Sequence, residues 1–311
     1  MQFLAKQYNF DFLGKRRLTA ILSGLLIILS IVTLAYQGLN FGIDFTGGTI
    51  VEVGYADPVY LDNIRSALKS SDFSDAVVQY FGTASDVLIR IPPREGLNSA
   101  VISNEILDLL RSTGQSVKMR RVEFVGPQVG DELAEDGGLA MIYALLGILI
   151  YVALRFQMRF SAGAIAALIH DVIITLGFFS VLRFDFDLSV LAAILAVIGY
   201  SLNDTIVVYD RIRENFHKMR KATSFEVINT SLNQTLSRTI VTSLTTLMVL
   251  VALFLFGGEI IHGFAIVLII GVLIGTYSSL FVASPIILAL GITKQDLMPV
   301  EKEGAELQNR P

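Results

Sequence analysis

Cysteine is absent from the 311 residues, which excludes disulfides, thiolate-held metals and cysteine nucleophiles. Charge is scarce as well: 17% of the residues are Asp, Glu, Lys or Arg, against roughly 25% in soluble domains. The sequence holds no Walker loop, GxGxxG, HExxH or nucleophile elbow, so the usual carriers of nucleotide and hydrolytic chemistry are missing. His170, His217 and His262 have no metal-ligand spacing. No catalytic residue, metal or cofactor is expected, and the energy that drives this chain must come from a gradient or a partner enzyme. A net charge of −4 argues against nucleic acid as a partner.

What is abundant is apolar surface, at 53% hydrophobic residues and a mean hydropathy of +0.63. Six runs reach or approach the roughly 20 residues that cross a bilayer. They occupy residues 18–36, 137–156, 160–182, 188–209, 239–256 and 264–290. The first follows Lys15, Arg16 and Arg17 like the charged start of a signal peptide, but no small-x-small cleavage site succeeds it. It therefore reads as a retained anchor. Ahead of it, Phe3, Leu4, Tyr8, Phe10, Phe12 and Leu13 suggest that residues 1–17 form a cytoplasmic interfacial segment.

Lys and Arg are retained on the cytoplasmic side of a membrane, and their distribution orients the chain. With the N-terminus inside, that side collects Lys6 and Lys15 to Arg17, then Arg155 and Arg159, the loop 210–238 with Arg211, Arg213, Lys218, Arg220, Lys221 and Arg238, and Lys294 in the tail 291–311. Both termini are expected in the cytoplasm and residues 37–136 outside. The helical periodicity and dense basic charge of the loop fit a solvated face near anionic headgroups; a docking surface for a cytoplasmic partner is the alternative.

The outer segment alternates as strands at 49–55, 76–81, 87–91 and 117–125, with helical spacing at 58–69 and 98–110. The order β-α-β-β-α-β predicts a ferredoxin-like sandwich. Its sheet edge offers strand addition to an extended chain, and a sandwich with no ligand duty fits equally.

Ionisable groups inside a span are expensive and mark pathways or pairs. The polar candidates here are His170 and Asp171 in the third span, Asn203 and Asp204 in the fourth, and Arg238 at the entry to the fifth. Counting back from Tyr209, Asp204 lies about 7–8 Å inside the cytoplasmic end, a depth that water reaches through a bundle. Arg238 enters antiparallel from the same side, so the two share a depth. A carboxylate whose guanidinium neighbour comes and goes takes up a proton in one conformation and releases it in another, and one charge crossing 100 mV supplies about 2.3 kcal/mol. A static ion pair, or an Arg238 that snorkels to the interface, are the alternatives. His170 and Asp171 point about 100° apart on one helix and form a possible secondary relay or a hydrogen-bonded structural pair. Small residues, among them Gly163, Ala193, Gly199, Gly271 and Gly275, permit close helix approach.

The segments GYSLNDTIVVYDRIREN (199–215), LSRTIVTS, LIHDVIIT and FGIDFTGGT resemble, in order and topology, the SecF family of protein-export subunits, relatives of the resistance-nodulation-division (RND) transporters. The resemblance implies a mainly α membrane protein, six helices forming half of an RND-type bundle, with one ferredoxin-like periplasmic domain. It implies an accessory subunit of the Sec translocase in the bacterial inner membrane, driven by the proton gradient. The implied partners are SecD, the SecYEG channel, YajC, unfolded preprotein, membrane lipid and, indirectly, SecA. The family's proton-relay aspartate falls on Asp204, next to Asn203, and its arginine on Arg238. Asp44, Gly47 and Gly48 belong to its FGIDFTGGT signature; physically they read as a turn, with Asp44 bonding nearby backbone, or as a coupling between outer domain and first span. Gly257 and Gly258 read as a short outer turn. A small-molecule or lipid exporter of the same superfamily is disfavoured by the single small outer domain. A non-conducting scaffold subunit is the other alternative.

Overall fold

The computed structural model describes residues 9–94 and 98–293. Phe3, Leu4, Lys6 and Tyr8, and the tail from residue 294 with Lys294, lie outside the described residues. In chain order the elements begin with α1 (Arg16–Gln37), β1 (Asn40–Phe41), α2 (Ile43–Thr46), β2 (Gly48–Tyr55), α3 (Leu61–Lys69), β3 (Val77–Phe81) and β4 (Thr83–Ile91). They continue with α4 (Ser99–Ser112), β5 (Val117–Val125), α5 (Pro127–Arg155), α6 (Met158–Leu182), β6 (Asp185–Phe186), α7 (Leu188–Lys218), α8 (Ser224–Phe256) and α9 (Glu259–Ser278). A π turn, Ser279–Ala283, then leads into α10 (Ser284–Ala289).

Hydrocarbon offers the backbone no hydrogen-bond partners, so long apolar runs close into helices. Six helical spans among the described residues are long and apolar enough to cross a membrane, and the chain is a multi-pass membrane protein. Interior side chains come chiefly from α6 and α7, including Phe160, Leu168, Phe179, Ile194, Ile198 and Tyr209. Close approach of α9 to α7 depends on Gly271, which faces Val197, and Gly275, where an added Cβ would stand 3.0 Å from that of Ser201.

The helices outrun the apolar runs. The second span starts at Pro127 rather than 137, because Gly126 and Pro127 supply a helix start at N1 and acidic Asp131, Glu132, Glu135 and Asp136 do not interrupt a helix that projects from the bilayer. The cytoplasmic segment 210–238 is mostly helix, in line with its helical periodicity: α7 reaches Lys218 and α8 begins at Ser224, behind a capping box in which Thr223 and Glu226 satisfy each other's backbone N–H groups. Hydropathy ends where polarity begins; helical hydrogen bonding does not. The expected interfacial position of Phe12 and Leu13 is corrected too. Both are buried in the bundle, Phe12 against Phe281 at 5.6 Å, and the strand of chain before them is held by Asn229 and Asn233 of α8, whose side chains bond the Phe10 and Phe12 backbone at 2.8–3.0 Å.

Between α1 and α5, four antiparallel strands lie in the order β3-β4-β2-β5, the ferredoxin-like arrangement. Alternation on β2 and β4 turns Val51, Val53, Val87, Ile89 and Ile91 onto Ile64 and Leu68 of α3 and Ile102, Ile106 and Leu110 of α4. Asn98 caps α4 through the Ala100 N–H at 3.0 Å.

The glycine pair joins this domain to the bundle. Gly47 and Gly48 take φ of +67° and +126°. An added Cβ at Gly47 would sit 3.0 Å from Pro127, and one at Gly48 would sit 2.5 Å from the Ile91 carbonyl oxygen. Asp44 does not bond the local turn. Its carboxylate accepts from the Leu188 N–H at 3.0 Å, at the start of α7, and nearby β1 pairs in parallel with β6. A partner 144 residues away leaves no trace in local spacing.

Gly48→Ala should weaken the start of the β2–β4 ladder by about 1–3 kcal/mol through positive φ and the carbonyl clash. Hydrogen exchange of β4 amides in the full chain should accelerate, whereas Gly138→Ala, where an added Cβ meets open space, should leave them unchanged.

Candidate functional site

Two carboxylates lie inside the helical bundle, and hydroxyl groups close both. Asp171 of α6 is 1% exposed and Asp204 of α7 is 7% exposed. Asp204 accepts from Thr239 Oγ1 of α8 at 2.9 Å on one oxygen and from Ser279 Oγ of the π turn at 2.8 Å on the other. Asp171 accepts on a single oxygen from Ser201 Oγ of α7 at 2.5 Å and Ser278 Oγ of α9 at 2.7 Å. Its second oxygen lies 2.8 Å from His170 Nδ1.

The imidazole extends this cluster toward α1. His170 Nε2 is 3.1 Å from Ser23 Oγ, Ser23 is 3.0 Å from the Tyr277 hydroxyl, and the Tyr277 and His170 rings stack. The 100° between His170 and Asp171 thus points them at different helices, α1 and the α7–α9 pair, while they still bond each other. Hydroxyls donate and accept at once, so the cluster is built of groups able to pass protons.

Consecutive residues, Ser278 and Ser279, serve the two carboxylates because the last span changes its winding there. Pro285 has no N–H and its ring crowds the carbonyl four residues back, and the helix widens to a π turn over Ser279–Ala283. Such bulges recur at functional sites. Backbone groups loosened by the widening find side-chain donors: the Tyr209 hydroxyl donates to the Ala283 carbonyl at 3.2 Å and Ser284 Oγ to that of Ser279 at 3.0 Å.

Arg238 stands next to Thr239, at the depth of Asp204, but its side chain is exposed and it forms no ion pair with Asp204 among the described residues. Thr239 occupies that place. Asn203 is likewise exposed, on the flank of the α7–α8 seam that Asp204–Thr239 and Tyr200–Ser243 close. Asp44, Gly47 and Gly48 lie at the junction with the extramembrane domain, outside this cluster. Sequence reasoning missed Ser23, Ser201, Thr239, Tyr277, Ser278 and Ser279 as site groups. The available signal was the polar run Thr276 to Ser279 set in an apolar span just ahead of a Ser-Pro pair.

A family profile described as protein export membrane protein SecD/SecF, C-terminal, matches residues 105–293, and one for the SecD/SecF GG motif matches residues 34–59. The chain is 52% identical to the protein translocase subunit SecF of Vibrio alginolyticus, across 100% of this chain and 99% of that one. It is 48% identical to SecF of Escherichia coli O157:H7 over 92% of this chain and 90% of the relative. In three dimensions it resembles the crystal structure of SecDF from Thermus thermophilus, a translocon-associated membrane protein, with a TM-score of 0.83 and 36% identity. That match covers 93% of this chain and 39% of the longer one. A SecDF structure in a super-membrane-facing form matches with a TM-score of 0.68.

Removing one hydroxyl separates the two carboxylates. Ser279→Ala leaves one Asp204 oxygen without its donor and should cost about 1–3 kcal/mol. Ser278→Ala should cost less, because Ser201 still serves the same Asp171 oxygen. Thermal unfolding midpoints of the purified full chain should fall in that order.

Proposed function

The chain belongs to the SecD/SecF family of protein-export membrane subunits, and from that premise we infer that it is an accessory subunit of the Sec protein translocase. It works with a SecD partner in the bacterial inner membrane, both termini in the cytoplasm and the ferredoxin-like domain in the periplasm, and draws on the proton-motive force to promote preprotein translocation and release. Full-length similarity to SecF proteins supports the export role; the buried Asp204 with its hydroxyl shell carries the proton reading. SecYEG, YajC and, indirectly, SecA complete the assembly, and no cofactor other than the gradient is needed.

Arg238 and Asn203 are exposed at membrane depth, where a charged group such as the Arg238 guanidinium costs about 2.5–3.5 kcal/mol on insertion scales and an amide is also disfavoured. Lipid is a poor neighbour for them and a protein surface carrying a carboxylate a good one, which supports a partner subunit on this flank. In the present arrangement Asp204 is closed by Thr239 and Ser279. Rotation of α8 by one residue position, about 100°, exchanges the Thr239 hydroxyl for the Arg238 guanidinium, and this exchange is the step that loads and unloads the proton. The His170–Asp171 pair, joined to α7 through Ser201, serves as the secondary relay. Asp44 on the Leu188 N–H links the helix that carries Asp204 to the periplasmic domain, where the emerging preprotein is held.

Asp204→Asn keeps the shape and the hydroxyl partners but not the titrating group. Preprotein release in vesicles should then fall to the level seen without a proton gradient, with SecD assembly normal. Unchanged release with normal assembly would leave a scaffold subunit.

Arg238→Lys retains charge but loses the planar fork that grips a carboxylate at two points. Export should be intermediate between wild type and Arg238→Ala, and wild-type export by the lysine variant would exclude a specific carboxylate–guanidinium step.

A further inference from the structure

A groove of about 540 Å³ opens on the outer surface of the bundle between α1, α6 and α10. Its walls are apolar and small where α1 passes, at Ala20, Gly24 and Ile27, and are completed by Phe281, Pro285 and Ala289. At one end stand Arg16 and Arg17. Both are exposed, and neither has an acidic side chain within ion-pair distance among the described residues. Arg16 instead lies 6.0 Å over the ring of Phe225, which keeps its charge at the helix ends.

Length and charge together specify the occupant. From Arg16 to Ile27 the helix rises about 16 Å, close to the roughly 15 Å of hydrocarbon in one leaflet. An apolar slot one leaflet deep, capped by two guanidinium groups that have no acidic partner among the described residues, matches a phosphate headgroup with its acyl chain. The small residue at Gly24 leaves the slot open: an added Cβ there meets open space, so a methyl is tolerated and only a bulky side chain fills it. We propose that this groove is a binding site for an anionic diacyl phospholipid of the leaflet on the Arg16 side, phosphate on Arg16 and Arg17 and acyl chain along Gly24. The slot is also lined by Ser23 and His170, members of the carboxylate cluster. A bound acyl chain therefore seals that cluster from the bilayer side and keeps water off the Ser23–His170 contact.

The test uses the full chain assembled with its SecD partner. Native mass spectrometry should show dioleoylphosphatidylglycerol retained in preference to dioleoylphosphatidylcholine, and Arg16→Gln with Arg17→Gln should reduce the retention of phosphatidylglycerol about tenfold. Gly24→Phe should abolish retention of either lipid at this site, while Gly24→Ala should preserve it. An aliphatic diazirine side chain in place of Ile27, which lines the groove, in vesicles containing phosphatidylglycerol, should label lipid more than one at Leu18, which faces outward at 68% exposure. Equal retention by the glutamine variant or by Gly24→Phe would overturn the site, as would equal labelling at the two positions, which means annular lipid only. Capture of a protein from position 27 would assign the groove to the partner subunit instead. Should the double arginine variant fail to assemble, the Gly24→Phe and Gly24→Ala pair decides alone.

Discussion

Hydroxyl donors closing two carboxylates inside a membrane bundle are the constraint on which the helix arrangement depends. A carboxylate removed from water must have its oxygens satisfied, and a half-satisfied polar cluster is worse than an apolar one. Thr239 and Ser279 fix α8 and the last span against Asp204, and Ser201 and Ser278 fix α7 and α9 against Asp171. Few positions of these four helices satisfy both groups at once. The π turn belongs to the same solution, since it sets two successive serines toward two different acids.

That constraint reaches the extramembrane domain through α7. The helix is bonded to Asp44 at its first residue and carries Asp204 sixteen residues on, about 24 Å away. A continuous helix is stiff over such a length, and its first residue lies at the junction where β1 meets β6 and Gly47 meets Pro127. Positive φ at the glycine pair permits the chain to leave the junction directly into β2. The signature around Asp44 is thus a joint between two folded units, a role that its turn-like composition conceals.

Much of the architecture was legible in the residues. Apolar runs of bilayer length can only be spans, because no other backbone solution exists in lipid, and the alternation from Thr49 to Val125 yields the β-α-β-β-α-β order through side-chain period alone. The second span's start was misjudged at Pro127, where polar residues continue a helix beyond the hydrocarbon and hydropathy is blind to them, whereas the helical periodicity across 210–238 matches the helices found there.

Within the site, Asp204, His170 and Asp171 stood out from the sequence because charge inside an apolar run is costly wherever it occurs. Their partners did not, since a serine or threonine in a span is cheap and usually bonds its own helix. Only packing decided that Ser278 and Ser279 look at different acids, that Thr239 and not Arg238 touches Asp204, and that Asp44 reaches Leu188. The sequence by itself determined which groups must be satisfied; the tertiary structure decided by whom, because hydrogen bonds act over about 3 Å and the residues that meet at that range here are up to 258 positions apart along the chain.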